Sequence, residues 1–355
     1  MSSLFDPLVF RTGLRAKNRL ALAPMTNTQS HDDGSLGEDE LRWLTSRADG
    51  GYGTIMTCAA HVAKEGQGWR GELGIFDDAQ LPGLSRLAAE LRRRDAVSIV
   101  QIFHGGVRAD AAVSGLPTWS SSDGEGALAA TEADLERVIG QFAAAAGRAK
   151  AAGFDGVEIH GAHGYLFTQF LSATHNRRTD RWGGSLENRA RLLRQVTRAI
   201  REEVGPTFTV GVRMSPEDFG FAKGLDLDET VEVARWLSED QIDFVHLSLW
   251  RAALPTRKRP EEHAIPLFRA ALPADVRILA AGAVWTRAEA EDLLAKGADG
   301  VALGRAAIGH PDWPQRIREE GWEPSRPPFT VEHLVAHGVS PRFAEYLRVF
   351  KGFIA

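Results

Sequence analysis

Two histidines and a tyrosine fall within six residues, His160, His163 and Tyr165, where the apolar run GVEIH gives way to the glycine-rich GAHGY. Two imidazoles can hold one oxygen of a bound molecule, and a nearby phenol can deliver a proton. Side chains of these types at this spacing can polarise an activated double bond and protonate it.

The elements that must position them follow from hydrophobic periodicity. Short runs rich in Val, Ile, Leu and Phe recur at 19–25, 53–62, 97–104, 156–160, 208–215, 243–249, 277–282 and 300–304. Near-continuous apolar runs of this length suit strands buried on both faces of a parallel sheet. Helical patterns separate them, among them 132–153 and 229–240, and Gly153 and Gly297 stand where helix C-caps are expected. Eight such units predict an α/β fold in which residues 1–355 form a single (β/α)8 TIM barrel. A doubly wound sheet is the alternative, but it needs a Gly-rich turn after its first strand, and the turn here, PMTNTQS, has no glycine. Residues 1–18, with Gly13 between apolar flanks, suit a short hairpin across the barrel bottom. Residues 105–130, after the third strand, are too long for a structureless connection and read as a lid or subdomain; residues 320–355 form a C-terminal extension. Within the lid, GEGALA matches a GxGxxA pattern, but it does not follow a strand directly, as a dinucleotide site requires.

A TIM barrel builds its active site at the C-terminal ends of its strands. Read in order, those ends give Pro24-Met25-Thr26, Ala59-Ala60-His61, Gln101 with Phe103 and His104, then His160, His163 and Tyr165, then Arg213, Trp250, Gly282 and Gly304-Arg305. A flavin accounts for them economically. The Gln101 amide offers a donor and an acceptor to the pyrimidine edge, Thr26 a small hydroxyl, and Arg213 a fixed cation for the charge that reduction brings. Gly282, Gly304 and Arg305 follow the seventh and eighth strands, the usual phosphate position in this fold. Phe103 and Trp250 are candidates for the substrate pocket. Plainer uses exist as well: Arg213 can pair with a buried carboxylate such as Glu158, and His61, His104 and His246 suit structural positions. A metal-dependent barrel hydrolase also uses histidines at strand ends, but it wants an HxH pair on the first strand and an aspartate after the eighth, and neither is present. A non-enzymatic flavin carrier would need no tyrosine beside a histidine pair. No metal site is therefore expected.

Composition narrows the classes further. The formal net charge is −5, from 42 basic and 47 acidic residues, so no strong field draws nucleic acid or an anionic membrane. Cys58 is the only cysteine, which excludes an internal disulfide and a cysteine-held iron–sulfur cluster within the chain. The start, MSSLFDPLVF, lacks a basic segment followed by an apolar core, and no run approaches the ~20 apolar residues of a membrane span. A cytoplasmic protein, monomeric or homo-oligomeric, is expected.

Several segments, QIFHGG, AGFDGVEIHGAHGYLFTQFLS, NRRTDRWGGSLENR, GVRMSPEDF and ALGRAAIGHPDW, agree in order and spacing with the old yellow enzymes, the FMN-dependent ene-reductases, which the chain resembles along nearly its whole length. The resemblance implies a TIM barrel holding FMN, reduced by NADH or NADPH, and acting on enones, enals or maleimides. It implies that Thr26, Ala60, Gln101 and Arg213 contact the flavin ring, and that Gly282 and Arg305, with the Gly304 backbone, hold the phosphate. His160 and His163 would bind the substrate oxygen and Tyr165 would protonate the α-carbon. A nitro or nitrate-ester reductase would use the same residues; dihydroorotate- or dihydrouridine-type chemistry is the other flavoenzyme alternative, and the His–x–x–His pair argues against it. The His–His pair looks like the bacterial branch, yet Thr26 stands where that branch often carries a cysteine. The usual HxGR after the third strand is interrupted as His104-Gly105-Gly106-Val107-Arg108. The C-terminal PRFAEYLRVFKGFIA does not align with the arm that reaches a neighbouring subunit in that branch, although Arg342 and Arg348 are candidates for such a role.

Overall fold

Residues 3–355 are described by the structure, a computed structural model. Eight parallel strands close into a barrel: Leu20–Leu22, Thr54–His61, Val97–Phe103, Gly156–Gly161, Thr209–Met214, Phe244–Ser248, Arg277–Ala281 and Gly300–Leu303. Closure comes from the first strand, which sets Leu20 beside Val301 of the eighth and Ala21 beside Thr54 of the second. The first strand is shorter than its apolar run suggests. Ala23 still donates to the Leu303 carbonyl, but Pro24 has no N–H to continue the ladder, and the chain turns there.

Helices cover the outside. Glu132–Ala152 begins at a reciprocal Thr131/Asp134 capping box and ends at Gly153, whose φ of 89° is left-handed. Its Leu135, Val138, Phe142, Ala145 and Ala149 recur at helical spacing and are buried against the barrel. The hairpin expected within residues 1–18 forms from Leu8–Val9 and Arg15–Ala16. It caps the bottom of the barrel, where Phe10 meets Phe244 edge-on at 5.7 Å. Gly211 makes that plug possible, since a β-carbon there would lie 2.2 Å from the Phe244 ring.

Residues 105–130 fold into a one-turn helix, Ala111–Ser114, and a two-stranded ladder, Trp119–Ser120 with Leu128–Ala129. Arg178 holds this segment to the barrel through the carbonyls of Ser121 and Ala130. The C-terminal stretch forms two short helices, Val331–Ala336 and Pro341–Leu347, docked on the first helix of the barrel through Trp43 and Phe343, whose rings meet edge-on at 5.1 Å.

Candidate active site

A cavity of about 460 Å³ opens at the C-terminal ends of the strands, within the roughly 300–1,000 Å³ range of ligand sites. Pro24, Met25, Thr26, Gln101, His160, His163, Tyr165, Arg213 and Arg305 all line it, so nine of the residues singled out from sequence meet at one place. They come from the first, third, fourth, fifth and eighth strands and the turns after them.

The local fold explains how each histidine is aimed. His160 ends the fourth strand, and the Ala162 N–H lies 3.4 Å from its Nδ1. That makes Nδ1 the acceptor and leaves the proton on Nε2, which makes no hydrogen bond among the described residues. His163 follows in a left-handed conformation, φ 63°, unusual for a residue with a β-carbon. The Ser215 hydroxyl fixes this turn by accepting the His163 N–H at 3.1 Å. His163 Nε2 lies 2.7 Å from the Ser248 hydroxyl, which itself accepts from Arg213 Nη2 at 3.3 Å. The hydroxyl proton has no other acceptor among the described residues, so it is directed at Nε2, and His163 presents Nδ1–H. The rings lie 5.0 Å apart at 77°. Burial, then the nearby Arg213 cation, holds both pKa values well below the ordinary histidine range. Two neutral imidazoles with N–H donors fixed by their neighbours therefore face the same cavity.

Tyr165 starts the helix Leu166–Leu171, and its ring stands 5.0 Å from that of His160. Burial raises its pKa, with the Arg108 charge opposing, so the phenol keeps its proton at neutral pH. Phe103 is fully buried behind it, edge-on to Tyr165 at 4.6 Å and to His160 at 5.6 Å. Phe103 thus props Tyr165 in place rather than lining the pocket; Trp69, 5.5 Å from it, takes the place on the wall.

Three other residues stand differently from the sequence expectation. Ala60 is buried in the hydrophobic core and Ala59 faces the cavity. A register shift between Met56 and Ala59 in the second strand reverses the inward–outward alternation that simple counting assumes. Trp250 is 55% exposed and lies in a neighbouring groove with Phe219, outside the cavity. Gly282 packs against residues 249–252, where its carbonyl accepts the Ala252 N–H at 2.7 Å, and Arg305 alone of the proposed phosphate group reaches the wall.

Beneath the cavity, Glu158 is fully buried and fully used. It accepts from Gln101 Nε2 at 2.7 Å and meets His246 Nδ1 at 2.7 Å. Arg213 is therefore free of Glu158, and bonds the Pro24 carbonyl at 3.2 Å and Ser248 instead. Because the carboxylate requires a donor, the Gln101 amide is oriented with Oε1 towards the cavity.

The residues fit FMN. Arg213 Nε is buried with no partner, Gln101 Oε1 is an unused acceptor, and small side chains (Ala21, Ala23, Ala281, Ala302) fill the first, seventh and eighth strands below the opening. An isoalloxazine supplies the acidic N–H that Gln101 awaits and the anionic edge that Arg213 awaits; its phosphate suits the exposed Arg305.

Sequence reasoning missed the C-terminal contribution. Phe343, Tyr346, Leu347, Phe350 and Phe353 of the same chain close one side of the cavity that Thr26 also lines. The 3-4-3 spacing of the four aromatic residues, one helical face, was the available signal. Arg342 and Arg348, the candidates from sequence, turn away to Asp32 and Glu345. From residues 105–130, Arg108 is the one that reaches the cavity wall.

A barrel with this site is that of a flavin-dependent oxidoreductase. The model of the NADH:flavin oxidoreductase / NADH oxidase family matches residues 3–322. A probable NADH-dependent flavin oxidoreductase of Bacillus subtilis is 35% identical over 333 residues, 89% of this chain and 88% of that protein. An NADH:fumarate oxidoreductase of Klebsiella pneumoniae is 33% identical over 331 residues, but the chain covers 36% of that longer protein. The structure of an old yellow enzyme homologue from Zymomonas mobilis superposes with a TM-score of 0.83 and 28% identity, covering 94% of this chain and 96% of that one. The chain belongs to the old yellow enzyme family and is an FMN-dependent NAD(P)H oxidoreductase.

Proposed function

We propose that the chain reduces the carbon–carbon double bond of activated alkenes such as enones, enals and maleimides. FMN held by Gln101, Arg213 and Arg305 would supply the redox chemistry, linking NAD(P)H as hydride donor to the alkene β-carbon as acceptor. The remaining work belongs to the protein. His160 Nε2–H and His163 Nδ1–H donate to the carbonyl oxygen, and their neutrality lets them stabilise the developing oxyanion without a proton transfer of their own. Tyr165 gives its proton to the α-carbon and regains one from solvent, so one alkene, one NAD(P)H and one proton become the saturated product and NAD(P)+. Gln101, Arg213 and Arg305 hold the flavin, with the turn Pro24–Thr26 beside it.

The observation that carries this reading is the pair of neutral, donor-oriented histidines beside a protonated phenol in one cavity. The test separates the half-reactions by stopped flow. Tyr165→Phe is expected to leave flavin reduction by NAD(P)H nearly unchanged and to slow enone reduction by ~10²-fold or more, the scale of a positioned acid. Equal slowing of both steps would contradict the assignment.

A further inference from the structure

One cation of the cavity lies beside His163 and Tyr165, apart from the two that the flavin assignment uses. The cavity wall carries three arginines, Arg108, Arg213 and Arg305, and no aspartate or glutamate. The ring takes Arg213 and the phosphate takes Arg305, which leaves Arg108 unassigned.

Arg108 is held in place before anything binds. Its guanidinium carbon lies 4.2 Å from the centre of the Tyr165 ring and 4.0 Å from that of Phe221, between the two. Nη1 donates to the His163 carbonyl at 2.7 Å. Buried Gln169 accepts the Val107 N–H at 3.0 Å, and its amide donates to the carbonyls of Gly105 and Gly164, tying the loop that carries Arg108 to the loop that carries His163. Arg108 makes no ion pair among the described residues, although Glu125 lines the outer crevice on its far side. A half-buried, pre-oriented guanidinium with a free edge in a cavity without acidic side chains is matched by a carboxylate, which it can grip through two parallel hydrogen bonds. The phenol it stacks on is the one placed to protonate the alkene, so the bound anion must lie close to the reacting bond.

We propose that Arg108 is a specificity-determining residue that selects, among activated alkenes, those bearing a second, ionised carboxylate: oxo-alkenoates and half-esters of unsaturated diacids. This rests on the alkene reduction proposed above. The activating carbonyl takes His160 and His163, and the second carboxylate takes Arg108.

The test compares (E)-4-oxopent-2-enoate with its methyl ester, which share the alkene and the ketone and differ in charge. With the holoenzyme, kcat/KM for the acid is expected to exceed that for the ester by at least about tenfold, mainly through KM, and the advantage should shrink as salt is raised. Arg108→Gln should bring the acid-to-ester ratio to near one, and Arg108→Lys should retain part of it. Reading a ratio cancels any general loss from loosening His163 or Tyr165. Calorimetric binding of the unreactive pair 4-oxopentanoate and its methyl ester to the oxidised holoenzyme should show the same discrimination and the same loss. Equal kcat/KM for acid and ester in the wild type, or a ratio that survives in Arg108→Gln, overturns the proposal while leaving alkene reduction intact. Loss of NAD(P)H affinity in Arg108→Gln with an unchanged acid-to-ester ratio also overturns it, by assigning the cation to the phosphates of the nicotinamide donor. If the wild type reduces neither these compounds nor neutral enones, the proposed function itself fails.

Discussion

Ser248 gives the sharpest test of how the histidine pair is set. Its hydroxyl is 2.7 Å from His163 Nε2 and 3.3 Å from Arg213 Nη2, and the residue is buried. Ser248→Ala removes the group that fixes the His163 tautomer but leaves the imidazole itself in the cavity. A net hydrogen bond of about 0.5–1.5 kcal/mol predicts roughly 2- to 13-fold weaker binding of an oxyanion ligand. His163→Ala, which removes the donor to an anion, should cost about 1.5–3 kcal/mol, or roughly 10- to 150-fold. Ser248 acts on the ligand through His163, so the two losses must not add: the double variant should bind no more weakly than His163→Ala alone. Arg213 keeps its bond to the Pro24 carbonyl at 3.2 Å, so it stays in place and FMN affinity should change by less than about threefold in Ser248→Ala. The assay is titration of the oxidised holoenzyme with a phenol, followed by the long-wavelength charge-transfer absorbance. Additive losses across the cycle, or full phenol affinity in Ser248→Ala, would refute the tautomer argument.

Three further outcomes are expected. Arg213→Ala removes the buried cation whose Nε is unpartnered, and should weaken FMN binding or lower the flavin reduction potential, as read by fluorescence titration and dye equilibration. Glu158→Gln removes the carboxylate that orients Gln101; wild-type discrimination between FMN and N3-methyl-FMN, which lacks the donor Gln101 Oε1 would accept, should fall by about threefold or more, one neutral hydrogen bond's worth. Acid should destabilise the fold from about pH 6.5 downwards. Burial holds His61 and His104 down to about 3, so the unfolded chain binds protons that the folded one refuses, and each contributes a loss of about 2 kcal/mol between pH 6.5 and 5. His160, His163 and His246 act in the same direction, whereas the buried Glu40 and Glu72, raised by burial, act in the opposite one but are fewer. Heat denaturation monitored from pH 7.5 to 5 should show a falling Tm, and a flat or rising one would contradict the neutral assignments.

The barrel was legible because its strands are buried on both faces, and eight near-continuous apolar runs are hard to fold any other way. That these residues share one cavity was legible for a related reason. In this architecture a residue's place at the C-terminal end of a strand is also its place around the cavity, so reading along the chain amounts to reading around the site. His160, Arg213 and Gln101 needed no tertiary information to be put together, only the strand count. Roles that depend on a partner elsewhere were not legible in the same way. That Glu158 serves Gln101 and His246 and leaves Arg213 to the cavity depends on side-chain pairing across four strands, for which the sequence holds no marker.

The residues that the structure places differently share a cause that is geometric rather than chemical. Ala60 and Ala59 are chemically identical neighbours, and only the register shift after Met56 decides which faces inward. Trp250 follows a strand end as Arg305 does, but the turn at 249–252 carries it outward to Phe219, 5.7 Å away. The aromatic residues at 343, 346, 350 and 353 are about 180 residues from His163 and Tyr165 in sequence, yet close the same cavity. Their periodicity announces a helix face that must be buried, and it is silent on what buries it. Arg342 and Arg348, singled out from sequence for a role at a neighbouring subunit, pair with Asp32 and Glu345 at the surface of this chain. The aromatic spacing was the stronger physical signal, because aromatic side chains need a partner surface far more than exposed arginines do, although the helix itself ends at Leu347, with Phe350 and Phe353 following in a bend and a turn.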